Sequence, residues 1–155
     1  IEPADLEDLY GVFSDPEVMR FWSHAAWPHR DEASIYLEAI HRGFEQGDLF
    51  QWGIALRGDD RLIGTTTLYA IDHAQGRAEI GFAMSPALWG SGVFTQAADL
   101  YLDFLFNDWG VTTLVGRTLV GNGRGVGAMR KLGATIVEES LRHGQPEYIW
   151  TLERP

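Results

Sequence analysis

The sequence predicts an α+β fold, in which helices cover the faces of a mixed, mainly antiparallel sheet. Three observations predict it. Apolar residues recur with a helical period up to Gly47, then with a period of two from Leu49 to Met84. Short turns between the middle strands indicate an antiparallel meander. A long amphipathic stretch after Met84 then leads to another strand, so these two strands are expected to form a parallel pair.

The first third of the chain is predicted to be helical. Leu6, Leu9, Tyr10 and Phe13 follow the spacing of an amphipathic helix. Pro16 is placed to begin a short second helix that ends near Phe21. A third helix is expected from Asp31 to Gly47. Its predicted apolar face consists of Ile35, Tyr36, Ala39, Ile40 and Phe44.

The remaining elements follow from the change of period and from the positions of glycine and proline. Helices are predicted at 92–107 and 125–132. A turn at 144–146 is expected to join the last two strands. The strands themselves are predicted at 50–56, 62–71, 77–84, 111–119, 134–141 and 147–152. We expect residues 1–155 to form a single domain.

Composition excludes several classes of function. The net charge of −10 argues against nucleic acid or an anionic membrane as a partner, and it is compatible with a cationic substrate. The chain has no cysteine, which rules out disulfides, thiolate zinc sites and a cysteine nucleophile, and favours a cytoplasmic location. No apolar run reaches the roughly 20 residues of a membrane span. The histidines lack metal-ligand spacing, so no metal site is expected.

A glycine-bearing turn between a strand and a helix is the most distinctive stretch. It contains Pro86, Gly90 and Gly92 and precedes the long helix. The first backbone N–H groups of a helix have no partner within it, and the helix dipole adds partial positive charge there. Because glycine has no side chain to block an approaching anion, the turn is suited to binding a phosphate. Both the P-loop and the complete dinucleotide-binding pattern are absent.

Four features in order resemble the GCN5-related N-acetyltransferase (GNAT) superfamily. They are the strand at 79–84, the turn at 89–94, Asn122 after the next strand, and Met129-Arg-Lys-Leu-Gly133. In detail the chain is similar to the RimJ/RimL type, which acetylates the N-termini of ribosomal proteins. The resemblance implies a GNAT fold with a splayed parallel strand pair at its centre, and acetyl-CoA as the cofactor.

The same resemblance implies the positions of the cofactor site. Backbone amides of the turn and the helix start would bind the pyrophosphate, and the preceding strand would pair with the pantetheine arm. Asn122 matches an asparagine that contacts the cofactor, although it is also suited to capping a helix. The implied cofactor-binding residues are Phe82, Ala83, Met84, Gly90, Ser91, Gly92, Val93, Phe94, Thr95 and Asn122.

Glu79 is the candidate general base, acting directly or through water, because an acceptor amine must be neutral to attack a thioester. The competing interpretation is a solvated carboxylate that pairs with Arg77 or Lys131. The expected acceptor is a primary amine: a protein N-terminus, a polyamine or an amine-bearing small molecule. Some aromatic residues are expected to line the acceptor side, drawn from Trp22, Trp27, Tyr36, Trp52 and Tyr69.

The sequence departs from the family pattern at four positions. Trp89 and Phe94 replace smaller or polar residues in the turn, Gly125 replaces a serine, and Met129 stands where a catalytic tyrosine is common. The last two changes remove the usual proton donors to the thiolate, so an acyl-CoA sensor without catalysis is the alternative. We also expect residues to be missing before Ile1 and between Ser140 and His143. The sequence leaves open whether the protein is a monomer or a homodimer.

Overall fold

The computed structural model of the chain describes residues 1–153. Helices and strands occur in the predicted order. The helices are α1 (Leu6–Phe13), α2 (Pro16–Met19), α3 (Asp31–Gln46), α4 (Val93–Asn107) and α5 (Gly123–Lys131). The strands are β1 (Leu49–Leu56), β2 (Asp59–Asp72), β3 (Arg77–Met84), β4 (Thr113–Leu119), β5 (Thr135–Arg142) and β6 (Gln145–Glu153).

The six strands form one mixed sheet in the order β1-β2-β3-β4-β6-β5. The β1/β2, β4/β6 and β5/β6 pairs are antiparallel. The β3/β4 pair is parallel, and α4 is the crossover that connects its two strands. The α+β fold and the parallel pair predicted from the sequence are therefore confirmed.

Residues of the chain cluster into two compact units. The first contains Ile1–Tyr69 and Phe82–Phe94, and the second contains Ala70–Gly81 and the chain from Thr95 onward. Strands β2 and β3 contribute residues to both. That residues 1–155 form one domain stays a prediction.

Aromatic packing dominates the core of the first unit. Phe13 is fully buried; the ring of Trp27 stacks on it at 4.8 Å between centroids, and the rings of Tyr36 and Trp22 lie at 5.2 and 5.4 Å. Trp27 is 9% exposed, so this residue belongs to the core. Tyr36 donates a hydrogen bond to Oε1 of Gln51 at 2.9 Å, and burial raises the pKa of its phenol. The sequence predicted that some of five aromatic residues line the acceptor side; three of the five, Trp22, Trp27 and Tyr36, pack around Phe13.

The predicted apolar face of α3 was wrong in part. Ile35 and Phe44 are 64% and 55% exposed, whereas Ala33, Leu37, Ile40 and Gly43 are buried. The physical reason is the close approach of β1. A Cβ atom on Gly43 would lie 2.6 Å from the Cβ of Leu49, so only the helix stripe that contains this glycine can face the strand. Periodicity identified the helix, but two overlapping apolar stripes were available to it.

In the second unit, α5 packs on β4 through a glycine. A Cβ atom on Gly116 would lie 2.5 Å from the terminal methyl group of Met129, which is buried. The indole of Trp150 donates to the Thr118 hydroxyl at 2.7 Å. The β5–β6 turn is His143-Gly144, with φ of 51° and 78°, and β6 already begins at Gln145. This turn lies one residue before its predicted position, because His143 adopts a left-handed conformation that side chains rarely take.

Among residues 1–153, none of the helices combines the length and the apolar character needed to cross a bilayer.

Replacing Gly64 of β2 by alanine is predicted to destabilise the protein by about 1–3 kcal/mol, the usual range for overpacking. Its new Cβ atom would lie 2.4 Å from the backbone oxygen of Ala83, which cannot move without displacing β3. Gly53→Ala on β1 is the matched control, because its Cβ atom meets the flexible end of Leu62 at 3.1 Å. Urea unfolding of both variants measures the difference. Equal stabilities would contradict the prediction.

Candidate active site

The glycine turn in the first unit has an open, left-handed backbone. Gly90 and Gly92 have φ of 75° and 88°, a conformation that strongly favours glycine. A Cβ atom added at either position would meet no atom within 4 Å, and Gly90, Ser91 and Gly92 are exposed. The turn leads directly into α4, which begins at Val93. Its backbone is therefore accessible to a ligand at a helix N-terminus.

Trp89 ties this turn to the strand that precedes it. Its indole Nε1 donates to the backbone oxygen of Met84 at 3.0 Å, and its ring packs partly buried against the core of the first unit. The Ser91 hydroxyl donates to the Leu88 backbone oxygen at 2.6 Å. Both bonds fasten the turn to the segment that precedes it. The departure from the family pattern at Trp89 thus has a structural role.

The candidate pantetheine strand lies at the end of β3. Ala83 and Met84 are buried, and Phe82 is half-buried. The ring of Phe82 meets Phe94 edge to face, with centroids 5.2 Å apart. Phe94, the second unusual residue of the turn, therefore packs against the strand. Within the turn, the backbone N–H of Ser91 donates to the Leu88 oxygen at 3.3 Å, and that of Val93 donates to the Ser91 hydroxyl at 3.4 Å.

In the second unit, Asn122 caps α5. Its side-chain oxygen accepts a hydrogen bond from the backbone N–H of Gly125 at 3.0 Å, as the sequence predicted for a cap. A Cβ atom on Gly125 would lie 2.6 Å from Nδ2 of Asn122. The glycine that replaces the family's serine therefore leaves room for the folded-back asparagine side chain.

Glu79 pairs with an arginine from the neighbouring strand. Nε and Nη2 of Arg117 donate to its two carboxylate oxygens at 3.0 and 3.2 Å. The hydrogen bonds that Arg117 donates to Glu79, together with the charge of that carboxylate, raise the pKa of the Arg117 guanidinium, which stays protonated. Neither Arg77 nor Lys131, the partners considered from the sequence, makes this contact.

The ion pairs continue beyond Arg117 to two further residues. Its Nη1 donates to Oε1 of Glu147 at 3.5 Å, and Nε of Arg142 lies 3.1 Å from the other oxygen of Glu147, an ion pair without hydrogen-bond geometry. Glu147 is only 3% exposed. A buried carboxylate is costly unless it is paired, and two guanidinium groups compensate this one. We call Glu79, Arg117, Glu147 and Arg142 the charge row.

Sequence reasoning missed Arg117, Glu147 and Arg142. A signal was present, because Arg117 is the single charged residue in the apolar stretch 111–120. Its partners lie 38 and 30 positions away in the chain, and only the register of the sheet brings them together.

The position of the usual catalytic tyrosine carries no proton donor here. Met129 is buried, and its thioether lies against Gly116. Within residues 1–153, no cluster of three or more histidine, aspartate or glutamate side chains is arranged to hold a metal ion.

The crossover helix after a glycine turn, the parallel strand pair and the six-stranded sheet define the fold of an acetyl-CoA-dependent acyltransferase. The family model for the acetyltransferase (GNAT) domain matches residues 1–135, most of the chain. This protein belongs to the GNAT acetyltransferase family, whose members use acetyl-CoA.

Three known proteins illustrate the relationship. The chain is 28% identical over 106 residues to the uncharacterized N-acetyltransferase p20 of Bacillus licheniformis, covering 68% of this chain and 60% of that protein. It is 28% identical over 144 residues to the spermidine N(1)-acetyltransferase of Escherichia coli K12, covering 92% and 74%. A putative ribosomal-protein-serine acetyltransferase from Vibrio cholerae has the same fold, with a TM-score of 0.86, 17% identity and coverage of 99% and 91%. The chain thus spans about three fifths of the length of p20.

The two roles of Asn122 can be separated by substitution. Asn122→Ala is predicted to cost about 1 kcal/mol because it removes the cap, whereas Asn122→Asp keeps a capping oxygen and the stability. If Asn122 also contacts a CoA phosphate, the aspartate weakens CoA binding through like-charge repulsion. Thermal unfolding and calorimetric titration with CoA measure the two effects. Unchanged CoA affinity in Asn122→Asp would leave Asn122 as a cap alone.

Proposed function

We propose that this chain transfers an acetyl group from acetyl-CoA to a cationic primary amine. The observation that carries the proposal is the open, left-handed glycine turn at the start of α4, in a chain of the GNAT family. Acetyl-CoA supplies the activated acetyl thioester. The residues of the chain bind it, position the amine and handle the proton.

The proposed cofactor site consists of the turn and the strand before it. Exposed backbone at Gly90, Ser91 and Gly92 receives the pyrophosphate, together with the first amides of α4 at Val93, Phe94 and Thr95. Phe82, Ala83 and Met84 offer backbone to the pantetheine arm. Because Trp89 already occupies the Met84 carbonyl, pairing with the arm uses the other backbone groups of this strand. Asn122 is proposed as a further contact to the cofactor because it matches the family's asparagine.

Glu79 is the proposed proton acceptor. The ammonium group of the acceptor loses one proton through water to this carboxylate, which the ion pair with Arg117 holds in place. The neutral nitrogen then forms a bond to the acetyl carbon, and the bond from that carbon to sulfur breaks. The second proton of the nitrogen leaves with the sulfur as a thiol. Since Met129 cannot donate a proton, solvent is the proposed route for this last transfer.

A polyamine is the acceptor that we favour. Support comes from the spermidine acetyltransferase relative, which aligns over 92% of the chain, and from the net charge of −10. The alternative acceptor, suggested by the sequence resemblance to the RimJ/RimL type, is a protein N-terminus. A cytoplasmic location and a monomeric or homodimeric state remain predictions.

An acyl-CoA sensor is the second candidate function. The buried Met129, and Gly125 at the position of the family's serine, favour it, since both common proton donors are absent. Tight CoA binding without thiol release on any amine would support the sensor.

Gly92→Ala is predicted to weaken CoA binding about tenfold or more, because a methyl group would stand in the path of the phosphates and the φ of 88° would be strained. Gly110→Ala is the matched control, since Gly110 is also exposed, has φ of 72° and has no atom near its Cβ position. Both variants are expected to lose similar stability. Calorimetry with CoA measures the affinity. An equal loss of affinity in both variants would contradict the cofactor site.

Glu79→Gln is predicted to lower kcat by about a hundredfold or more, the usual contribution of a general base, with the KM for acetyl-CoA nearly unchanged. Thiol release on a panel of spermidine, spermine and N-terminal peptides measures the rate. Glu139→Gln, an exposed position on β5, is the control and is expected to keep wild-type activity. Full activity of Glu79→Gln would exclude Glu79 as the base.

A further inference from the structure

The ladder between β3 and β4 is short, and Glu79 lies at its end. Three residue pairs form it: Arg77 with Thr113, Ala78 with Leu114, and Glu79 with Val115. Arg117 lies two residues beyond Val115, on the same face of β4. Its guanidinium therefore bridges the two strands at the point where the backbone pairing ends.

Both ends of the Arg117 guanidinium are held. One edge, Nε and Nη2, binds both oxygens of Glu79, and the remaining nitrogen, Nη1, is directed to Glu147. Arginine can bind two carboxylates in this way because its donors form a rigid planar fork. A lysine would keep the charge at this position but would lose the two-point contact.

Glu147 serves as a fixed anchor. It lies on β6 opposite Leu119 of β4 and Ser140 of β5, and it is 3% exposed. Arg142 neutralises its second oxygen. The charge at the buried end of the row is thus balanced, although Oε2 of Glu147 accepts no hydrogen bond from the described residues; Arg117 at 37% and Glu79 at 21% exposure reach solvent.

Other charged residues also lie on this face of β3, β5 and β6. Alternation and register place three of them there. They are Arg77 of β3, Glu138 of β5 and Glu153 of β6.

We propose that Arg117, anchored by the buried Glu147, is a positioning residue that orients the Glu79 carboxylate at the end of the β3/β4 ladder. This inference rests on the proposed acetyltransferase function. Arg117 takes no part in bond making. It determines where the proton acceptor lies and which way its oxygens face.

The test uses the full chain with acetyl-CoA and the best acceptor from the amine panel. Arg117→Gln is expected to lower kcat tenfold or more with the KM for acetyl-CoA within twofold. Arg117→Lys is expected to retain part of the kcat that Arg117→Gln loses, since it keeps the charge without the two-point contact. Glu147→Gln is expected to give a kcat between those of the two Arg117 variants.

Arg61→Gln is the matched control, because Arg61 also pairs with a carboxylate, that of Asp8 at 2.9 Å, in the first unit. It is expected to keep the wild-type kcat and KM. If Arg117→Gln does not fold, the double variant Arg117→Gln with Glu147→Gln removes one charge of each sign and gives the same readout. Wild-type kcat in a folded Arg117 variant would overturn the positioning role alone. A wild-type protein that releases no thiol with any amine would instead overturn the acetyltransferase function, and this inference with it.

Discussion

Three backbone pairs join β3 to β4, and the chemistry proposed for this protein depends on where that pairing stops. The strands are parallel because the helix α4 carries the chain from one to the other, and its first turn follows the glycines at 90 and 92. Beyond Glu79 and Val115 the strands are linked by side chains and no longer by this backbone pairing. Arg117 connects the two strands through a two-point ion pair with Glu79. A fold that pairs strands fully would have no need of such a bridge. Here the bridge holds the carboxylate that we propose as the base.

Glycines and large aromatic residues have complementary roles around the turn. Gly90 and Gly92 supply backbone conformations and open space, while Trp89 and Phe94 hold the same segment against β3. The two aromatic residues depart from the family pattern without filling the space over the glycines. A glycine has a similar role in the second unit, where Gly125 leaves room for the capping side chain of Asn122. Small residues thus mark the places where another group needs to approach.

Much of the fold could be predicted because local patterns determine it. The end of α3 at Gly47, the cap at Asn122 and the alternation in β1 to β3 are all encoded within a few residues. The buried face of α3 could not be predicted, because two stripes of this helix are apolar in sequence. The close approach of Gly43 to Leu49 determines which of them faces the strand. The partner of Glu79 was missed for a similar reason. Arg117 lies 38 residues away, and parallel register, which no short motif specifies, decides the pairing.

The bond from the Trp89 indole to the Met84 carbonyl also has a kinetic consequence. A turn that is already fastened to its strand does not have to be ordered when a ligand arrives, so little conformational entropy is lost on association. Encounter with an anionic cofactor would then proceed at the rate set by diffusion and charge, and changes in affinity would appear mainly as changes in residence time. Loss of the Trp89 bond would slow association, because the turn would first have to become ordered at each binding event.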